Sequence, residues 1–160
     1  MDTSGSRINY EQLKAYAPIV LRIAMALVFL WFGFNQVFNP VNFIGYLPGW
    51  MMGPSQPGTM GNMMAVMMGS QAGFSTAQAS GFVIANGVFE IIFGLLLLSG
   101  IFTRIVALLL GLHLLFISLE LGYGDLMIRD FGLAVATFAV ALHGDDEFCI
   151  HDRLFKKSSA

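Results

Sequence analysis

The sequence predicts an all-α integral membrane protein whose helices form a four-helix bundle. Of its 160 residues, 56% are hydrophobic and 11% are charged, whereas charged residues make up about 25% of an average soluble domain. No lysine, arginine, aspartate or glutamate lies between Arg22 and Glu90. Four apolar segments approach the ~20 residues that a helix needs to cross a bilayer. We therefore expect residues 1–160 to form a single membrane domain.

Turn signals bound the four predicted spans, which cover about residues 18–38, 82–99, 103–120 and 126–143. Pro18 suits the first turn of a helix, where its missing N–H is not needed. Asn39-Pro40 ends the first span, because the residue before a proline avoids the helical conformation. Ser99-Gly100 predicts a tight turn between the second and third spans.

The segment between the first two spans is uncharged and rich in methionine. Five methionines recur at helical spacing, which predicts a Met-rich outer loop or short helix: Met60, Met63, Met64, Met67 and Met68. Thioethers are soft ligands that suit Cu(I). No histidine or cysteine accompanies them, so we favour an apolar face against lipid or a partner and predict no metal site.

The positive charges predict the orientation in the membrane. With four spans both termini lie on one side, and most basic residues fall there: Arg7, Lys14, Arg104, Arg153, Lys156 and Lys157. Only Arg129 falls on the other side. The positive-inside rule then places both termini in the cytoplasm of a prokaryote, with the protein in the cytoplasmic (inner) membrane. Arg104 is the expected inner-face anchor, and Arg22 is expected to snorkel to the inner headgroups.

Each predicted span carries one stripe of small and polar residues. The first stripe is Arg22, Ala26, Phe29, Gly33 and Gln36, and the later spans carry Asn86, Glu90 and Gly94, then His113 and Glu120, then Asp130, Ala134, Thr137 and Ala141. Small residues let helices approach closely in lipid, and polar residues there need partners. The stripes are therefore expected to face the bundle interior.

Glu90 and His113 are the ionisable residues nearest the middle of their spans. Each is about ten residues from the intervening turn, so at 1.5 Å per residue both lie ~15 Å above it and can meet. Ionisable groups at membrane depth are candidates for function. Two interpretations stay open: a proton-accepting pair beside a bound ligand, or a neutral carboxylic acid that bonds the imidazole and closes two helices together.

The outer half of the bundle collects the remaining polar side chains. The candidate ligand-binding residues are Trp31, Gln36, Glu90, His113, Glu120, Arg129 and Asp130. Several of them are charged, and burying an unpaired charge is costly. They predict either a cavity open sideways to lipid that binds a polar ligand head, or a salt-bridge network among Glu120, Arg129 and Asp130 that pins helix ends.

Other chemistries lack a signal in the sequence. His113 and His143 lie at different depths, so they cannot be two axial ligands of one haem. No G-x-G-x-x-G or phosphate-binding loop indicates a flavin or nucleotide, and no Ser-His-Asp or HExxH arrangement assigns a catalytic residue. The single cysteine excludes an intramolecular disulfide. No basic patch indicates nucleic acid.

Several short motifs resemble the DoxX family of small four-span membrane proteins. They are Leu21-Arg22-Ile23-Ala24, Phe34 to Phe38, Phe89 to Leu95, Gly100-Ile101-Phe102-Thr103-Arg104 and Arg129 to Leu133. The resemblance covers about residues 18–145. Ala26 stands where the family usually has glycine, and Gln36 where lysine is common.

The chain is also similar to DoxD, the membrane subunit of thiosulfate:quinone oxidoreductase. This resemblance implies that the ligand beside Glu90 and His113, with its head in the outer cavity, is a quinone. The chain would then be a quinone-interacting subunit of a membrane oxidoreductase complex, with membrane lipid around it and a partner subunit that supplies electrons. Two alternatives stay open: a non-enzymatic accessory subunit of a larger assembly, and a small-molecule or proton pathway. Whether the chain is itself an enzyme stays open too.

Overall fold

The computed structural model describes residues 10–48, 51 and 74–144, with side chains from residue 16 onward. Its helices are α1 (Tyr10–Phe38), a 3-10 helix (Pro40–Tyr46), α2 (Thr76–Ser99), α3 (Thr103–Glu120) and α4 (Asp125–His143). All four α-helices are long and apolar enough to span a membrane, α1 from Tyr16 onward. The predicted all-α, four-span fold is thus confirmed. The Met60–Met68 stripe lies outside the described residues.

Two helices begin earlier than the apolar pattern predicts. α1 starts at Tyr10, so Pro18 lies inside the helix rather than in its first turn. α2 starts at Thr76 because Ser75 forms a capping box: its Oγ accepts from the Gln78 N–H at 3.4 Å, and the Gln78 side chain accepts from the Ser75 N–H at 2.9 Å. These capping hydrogen bonds start α2 at Thr76, six residues before position 82, where hydrophobicity alone placed the start.

The predicted turn between α2 and α3 is confirmed. Gly100 takes the left-handed conformation with φ 72°, which glycine adopts without steric cost. The Gly100 N–H donates to the Leu97 carbonyl at 3.2 Å, and the Ile101 N–H to the Leu96 carbonyl at 3.1 Å. These bonds satisfy carbonyls that the end of α2 would otherwise leave open.

The helices pack as two pairs. α1 runs along α2 and α3 along α4, while α1–α4 and α2–α3 contacts join the pairs less extensively. α1 and α2 approach each other closely at Gly33 and Gly87. A Cβ on either glycine would lie 2.7 Å from the carbonyl oxygen of the other. Only the missing side chains allow this approach, which also sets how close the polar residues of the two helices come.

The polar stripe of α1 faces inward as predicted. Its five members, Arg22, Ala26, Phe29, Gly33 and Gln36, are all buried. On α4, Asp130, Ala134 and Thr137 are buried too. Large apolar side chains such as Val20, Leu119 and Leu142 are exposed on the outside of the bundle. This inside-out distribution suits a bundle surrounded by lipid rather than by water.

Arg22 does not snorkel, so that expectation is wrong. Its side chain is buried, and Nη1 donates to the carbonyl oxygens of Leu97 at 2.8 Å and Leu98 at 2.7 Å. These carbonyls belong to the last turn of α2, where a cation is favoured by the helix dipole. Arg104, at the same end of the bundle, is exposed, and its guanidinium lies against Gly144 just beyond α4. Arg22 therefore ties α1 to the end of α2.

Candidate functional site

A cavity of about 530 Å³ lies between the two helix pairs. All four α-helices and the 3-10 helix contribute to its walls. Much of the lining is aromatic or aliphatic, with Phe29, Phe32, Phe43, Phe82 and Phe116 among it. Its polar lining residues are Asn35, Gln36, Asn42, Asn86, Glu90, His113, Glu120, Arg129 and Asp130. Apolar walls with a few polar groups are typical of small-molecule sites, and the volume is within their usual range.

Three polar side chains from α1 and α2 form a closed set of hydrogen bonds, which we call the polar triangle: Gln36, Asn86 and Glu90. Gln36 Nε2 donates to Glu90 Oε2 at 3.1 Å. Asn86 Nδ2 donates to Gln36 Oε1 at 2.7 Å and to Glu90 Oε1 at 3.1 Å. Both carboxyl oxygens thus accept a hydrogen bond. The close approach at Gly33 and Gly87 brings the two helices near enough for these bonds.

His113 of α3 lies beside this triangle, which confirms its predicted proximity to Glu90. Its Nε2 is 3.5 Å from Glu90 Oε1. That atom is buried and has no hydrogen-bond partner among the described residues. The imidazole ring also packs on Phe89, with ring centroids 4.9 Å apart. The contact therefore brings α2 and α3 together at this point without a hydrogen bond between the two side chains.

Arg129 and Asp130 of α4 form an ion pair in another part of the lining. Arg129 Nε donates to Asp130 Oδ1 at 2.8 Å, and the arginine side chain is half exposed while the aspartate is buried. The guanidinium also lies over the Phe32 ring, with Cζ 5.3 Å from its centroid. These contacts fix the Nε edge of Arg129. Its two Nη groups donate no hydrogen bond within the described part of the chain, so they remain available to a ligand.

Glu120 does not join that ion pair, so the predicted three-residue salt-bridge network is wrong. The residue lines the same cavity but is exposed at the last position of α3. No ion pair to it occurs within residues 16–48 and 74–144. The shared helical face of His113 and Glu120 correctly predicted that both line the cavity. It could not show that Glu120 is exposed, because that follows from its position at the end of α3.

Trp31 does not line the cavity, in contrast to the prediction. It is 70% exposed on the outer face of α1. Gln36 is five positions further along the chain, which is about 140° around a helix of 3.6 residues per turn. Trp31 and Gln36 therefore lie on different sides of α1, although their heights in the membrane are similar.

The sequence analysis missed several lining residues. Asn86 was placed on an inward stripe but not in the site, and the network shows that it donates to both other members of the polar triangle. Asn42 and Phe43 come from the 3-10 helix, whose short length gives no periodic signal. No group of three or more His, Cys, Asp or Glu residues placed to hold a metal occurs in the described part of the chain.

Comparison with known proteins identifies the family. The sequence model of the DoxX family matches residues 17–121. No curated protein and no solved structure matches the chain. The matched region contains α1 from its membrane-spanning part onward, the 3-10 helix, α2 and α3, and with them the polar triangle and His113. It covers well over half of the sequence, and the chain therefore belongs to the DoxX family.

Proposed function

We propose that this protein binds a quinone in the cavity and serves as the quinone-interacting subunit of a membrane oxidoreductase. The observation that carries the proposal is the combination, in one cavity between four membrane-spanning helices, of a buried polar cluster, an accessible guanidinium and aromatic walls. A quinone has two ring oxygens that accept hydrogen bonds, a flat ring and an apolar tail. The cavity offers a counterpart to each of these features.

Arg129 is the proposed partner of one quinone oxygen. Its Nη groups have no acceptor in the described residues, and charge-assisted hydrogen bonds are stronger than those between neutral groups. Glu90 and His113, which lie beside each other at the cavity wall, are the proposed site of proton exchange. The aromatic lining, including Phe32 and Phe116, would pack on the ring.

The proposed electron source is a partner subunit. The sequence has no nucleotide-binding motif and a single cysteine, so it supplies no disulfide redox pair of its own. In this proposal the present chain holds the quinone and exchanges its protons, while the partner delivers or removes the electrons. A partner-free protein would then bind quinone without turning it over.

Quinone binding in detergent tests the proposal. We expect the purified protein to bind decylubiquinone, and Arg129→Met to weaken the affinity about tenfold or more, since a hydrogen bond to a charged group contributes about 1.5–3 kcal/mol. Glu90→Gln is expected to weaken it by a smaller factor. Ile128→Met places the same new side chain on the exposed neighbour and should leave binding unchanged.

Unchanged affinity in both site variants, with the fold intact, would leave the ion pair and the triangle as structural features only. A stoichiometric protein partner without any bound small molecule would favour an accessory subunit. Uptake of a solute or protons into liposomes would favour a transport pathway.

We further propose that the protein lies in the cytoplasmic membrane with both termini inside, as the distribution of basic residues predicts. The single native Cys149 then lies in the cytoplasm. A membrane-impermeant maleimide should label the wild type only in inverted vesicles. The variant Tyr123→Cys, Cys149→Ser carries its thiol in the exposed loop between α3 and α4 and should label in intact cells. Labelling of both proteins from one side would overturn the orientation.

A further inference from the structure

The orientation of the Asn86 amide bears on which redox form the cavity binds. Asn86 Nδ2 lies 2.7 Å from Gln36 Oε1 and 3.1 Å from Glu90 Oε1, two oxygens that accept hydrogen bonds. A reversed amide would bring its own oxygen against both of them. The two amide branches of asparagine are a donor and an acceptor. The network therefore holds the NH₂ branch toward the triangle and turns Oδ1 away from it.

Asn86 Oδ1 is an acceptor that no described residue uses, on a side chain that lines the cavity. The residue lines the cavity and is partly exposed, and its oxygen accepts no hydrogen bond within the described part of the chain. Unlike the Nε2 atom of His113, this oxygen is not buried. A ligand group placed against Oδ1 gains a hydrogen bond if it carries a proton, and meets an unfavourable oxygen–oxygen contact if it does not.

We infer that the cavity favours the hydroquinone over the quinone, with Asn86 as the residue that discriminates between them. This inference rests on the proposed function. A hydroquinone hydroxyl donates to Asn86 Oδ1, whereas a quinone carbonyl has no proton to offer. The asparagine cannot turn to serve the carbonyl without breaking both Nδ2 bonds. Arg129 does not discriminate, because the oxygen of either form accepts from its Nη groups.

The preference has a consequence for the bound redox couple. One additional neutral hydrogen bond corresponds to about a three- to tenfold difference in affinity. By linkage, tighter binding of the reduced form makes the bound quinone easier to reduce. A tenfold preference raises its two-electron reduction potential by about 30 mV. The site would thus favour electron transfer to the bound quinone.

Anaerobic titrations with decylubiquinone and chemically reduced decylubiquinol test the inference. For the wild type we expect the hydroquinone to bind about three- to tenfold more tightly. Asn86→Leu should bring the ratio of the two dissociation constants close to one. Ala85→Leu is the matched control, because it places the same new side chain on the exposed neighbour and keeps the Asn86 oxygen, and it should preserve the preference. Arg129→Met should weaken both forms by a similar factor.

The outcomes separate the two proposals. If neither form binds the wild type, the proposed function itself fails. If both forms bind but the quinone binds as tightly as the hydroquinone or more so, the inference fails and quinone binding stands. A wild-type preference that persists in a folded Asn86→Leu protein would overturn the role of Asn86. Comparing ratios between variants in one detergent cancels any difference in how the two forms partition into micelles.

Discussion

Replacing Glu90 by leucine is expected to lower the free energy of unfolding by about 1–3 kcal/mol. The substitution removes the acceptor of Gln36 Nε2 and one acceptor of Asn86 Nδ2. A buried donor that loses its partner costs about 1–3 kcal/mol. Asn86 keeps its bond to Gln36 Oε1. Most of the lost stability therefore comes from Gln36 Nε2, which has no acceptor left, and from the changed cavity wall beside His113.

Glu90→Gln is the informative companion, with an expected cost of about 1 kcal/mol. The amide oxygen can still accept from Gln36 Nε2, while an NH₂ group in the place of Oε1 faces His113 Nε2 and gives up the bond from Asn86 Nδ2. Denaturant titration of the purified variants in one detergent measures both effects. Ile92→Leu, on the exposed face of the same helix, should match the wild type. A Glu90→Leu protein as stable as the wild type would show that the triangle contributes nothing to the fold.

Gly33→Ala is the second substitution with a large expected effect, a loss of about 1–3 kcal/mol from overpacking. The new Cβ would lie 2.7 Å from the Gly87 carbonyl oxygen, 2.8 Å from Ile91 Cγ1 and 3.1 Å from the Ile91 nitrogen. Two of these atoms belong to the backbone, so α1 and α2 must move apart. The polar triangle spans the same two helices, and we expect its bonds to lengthen as well.

Gly132→Ala provides the control for the Gly33 experiment. Gly132 also lies in a membrane-spanning helix, but a Cβ there meets no atom within 4 Å. Alanine is the better helix former by about 0.5–1 kcal/mol, so this variant should be as stable as the wild type or slightly more so. Thermal unfolding followed by size-exclusion chromatography distinguishes the two proteins. Equal stability of Gly33→Ala and Gly132→Ala would contradict the close helix crossing.

The sequence predicted the fold well because membrane helices leave a strong periodic signal. The inward stripe of α1 followed from spacing alone, and the meeting of Glu90 with His113 followed from equal distance to one turn. Spacing tells which side of a helix faces inward, but it does not tell which neighbour lies there. Arg22 shows the limit, because its partners are carbonyl groups of α2 and carbonyl groups carry no side-chain signal.

The candidate site was predicted only in part for the same reason. Trp31 was predicted to line the site from its height along α1, but the helical rotation of 100° per residue places its side chain on the outer face. Asn86 lies on the correct stripe, yet its role depends on Gln36 of another helix, and that pairing is a tertiary contact. The cavity residues of the 3-10 helix, such as Phe43, could not be predicted from the sequence, because so short a helix shows no detectable hydrophobic periodicity.

Photoaffinity labelling with a short-chain azidoquinone tests the central claim, quinone binding in this cavity, most directly. The label is read residue by residue by mass spectrometry, with and without excess decylubiquinone. We predict competable labelling of lining residues such as Phe32 and Phe116. Labelling confined to outward-facing residues such as Trp31 and Phe131, or labelling that excess quinone does not reduce, would show that quinone reaches the protein only as a component of the surrounding lipid.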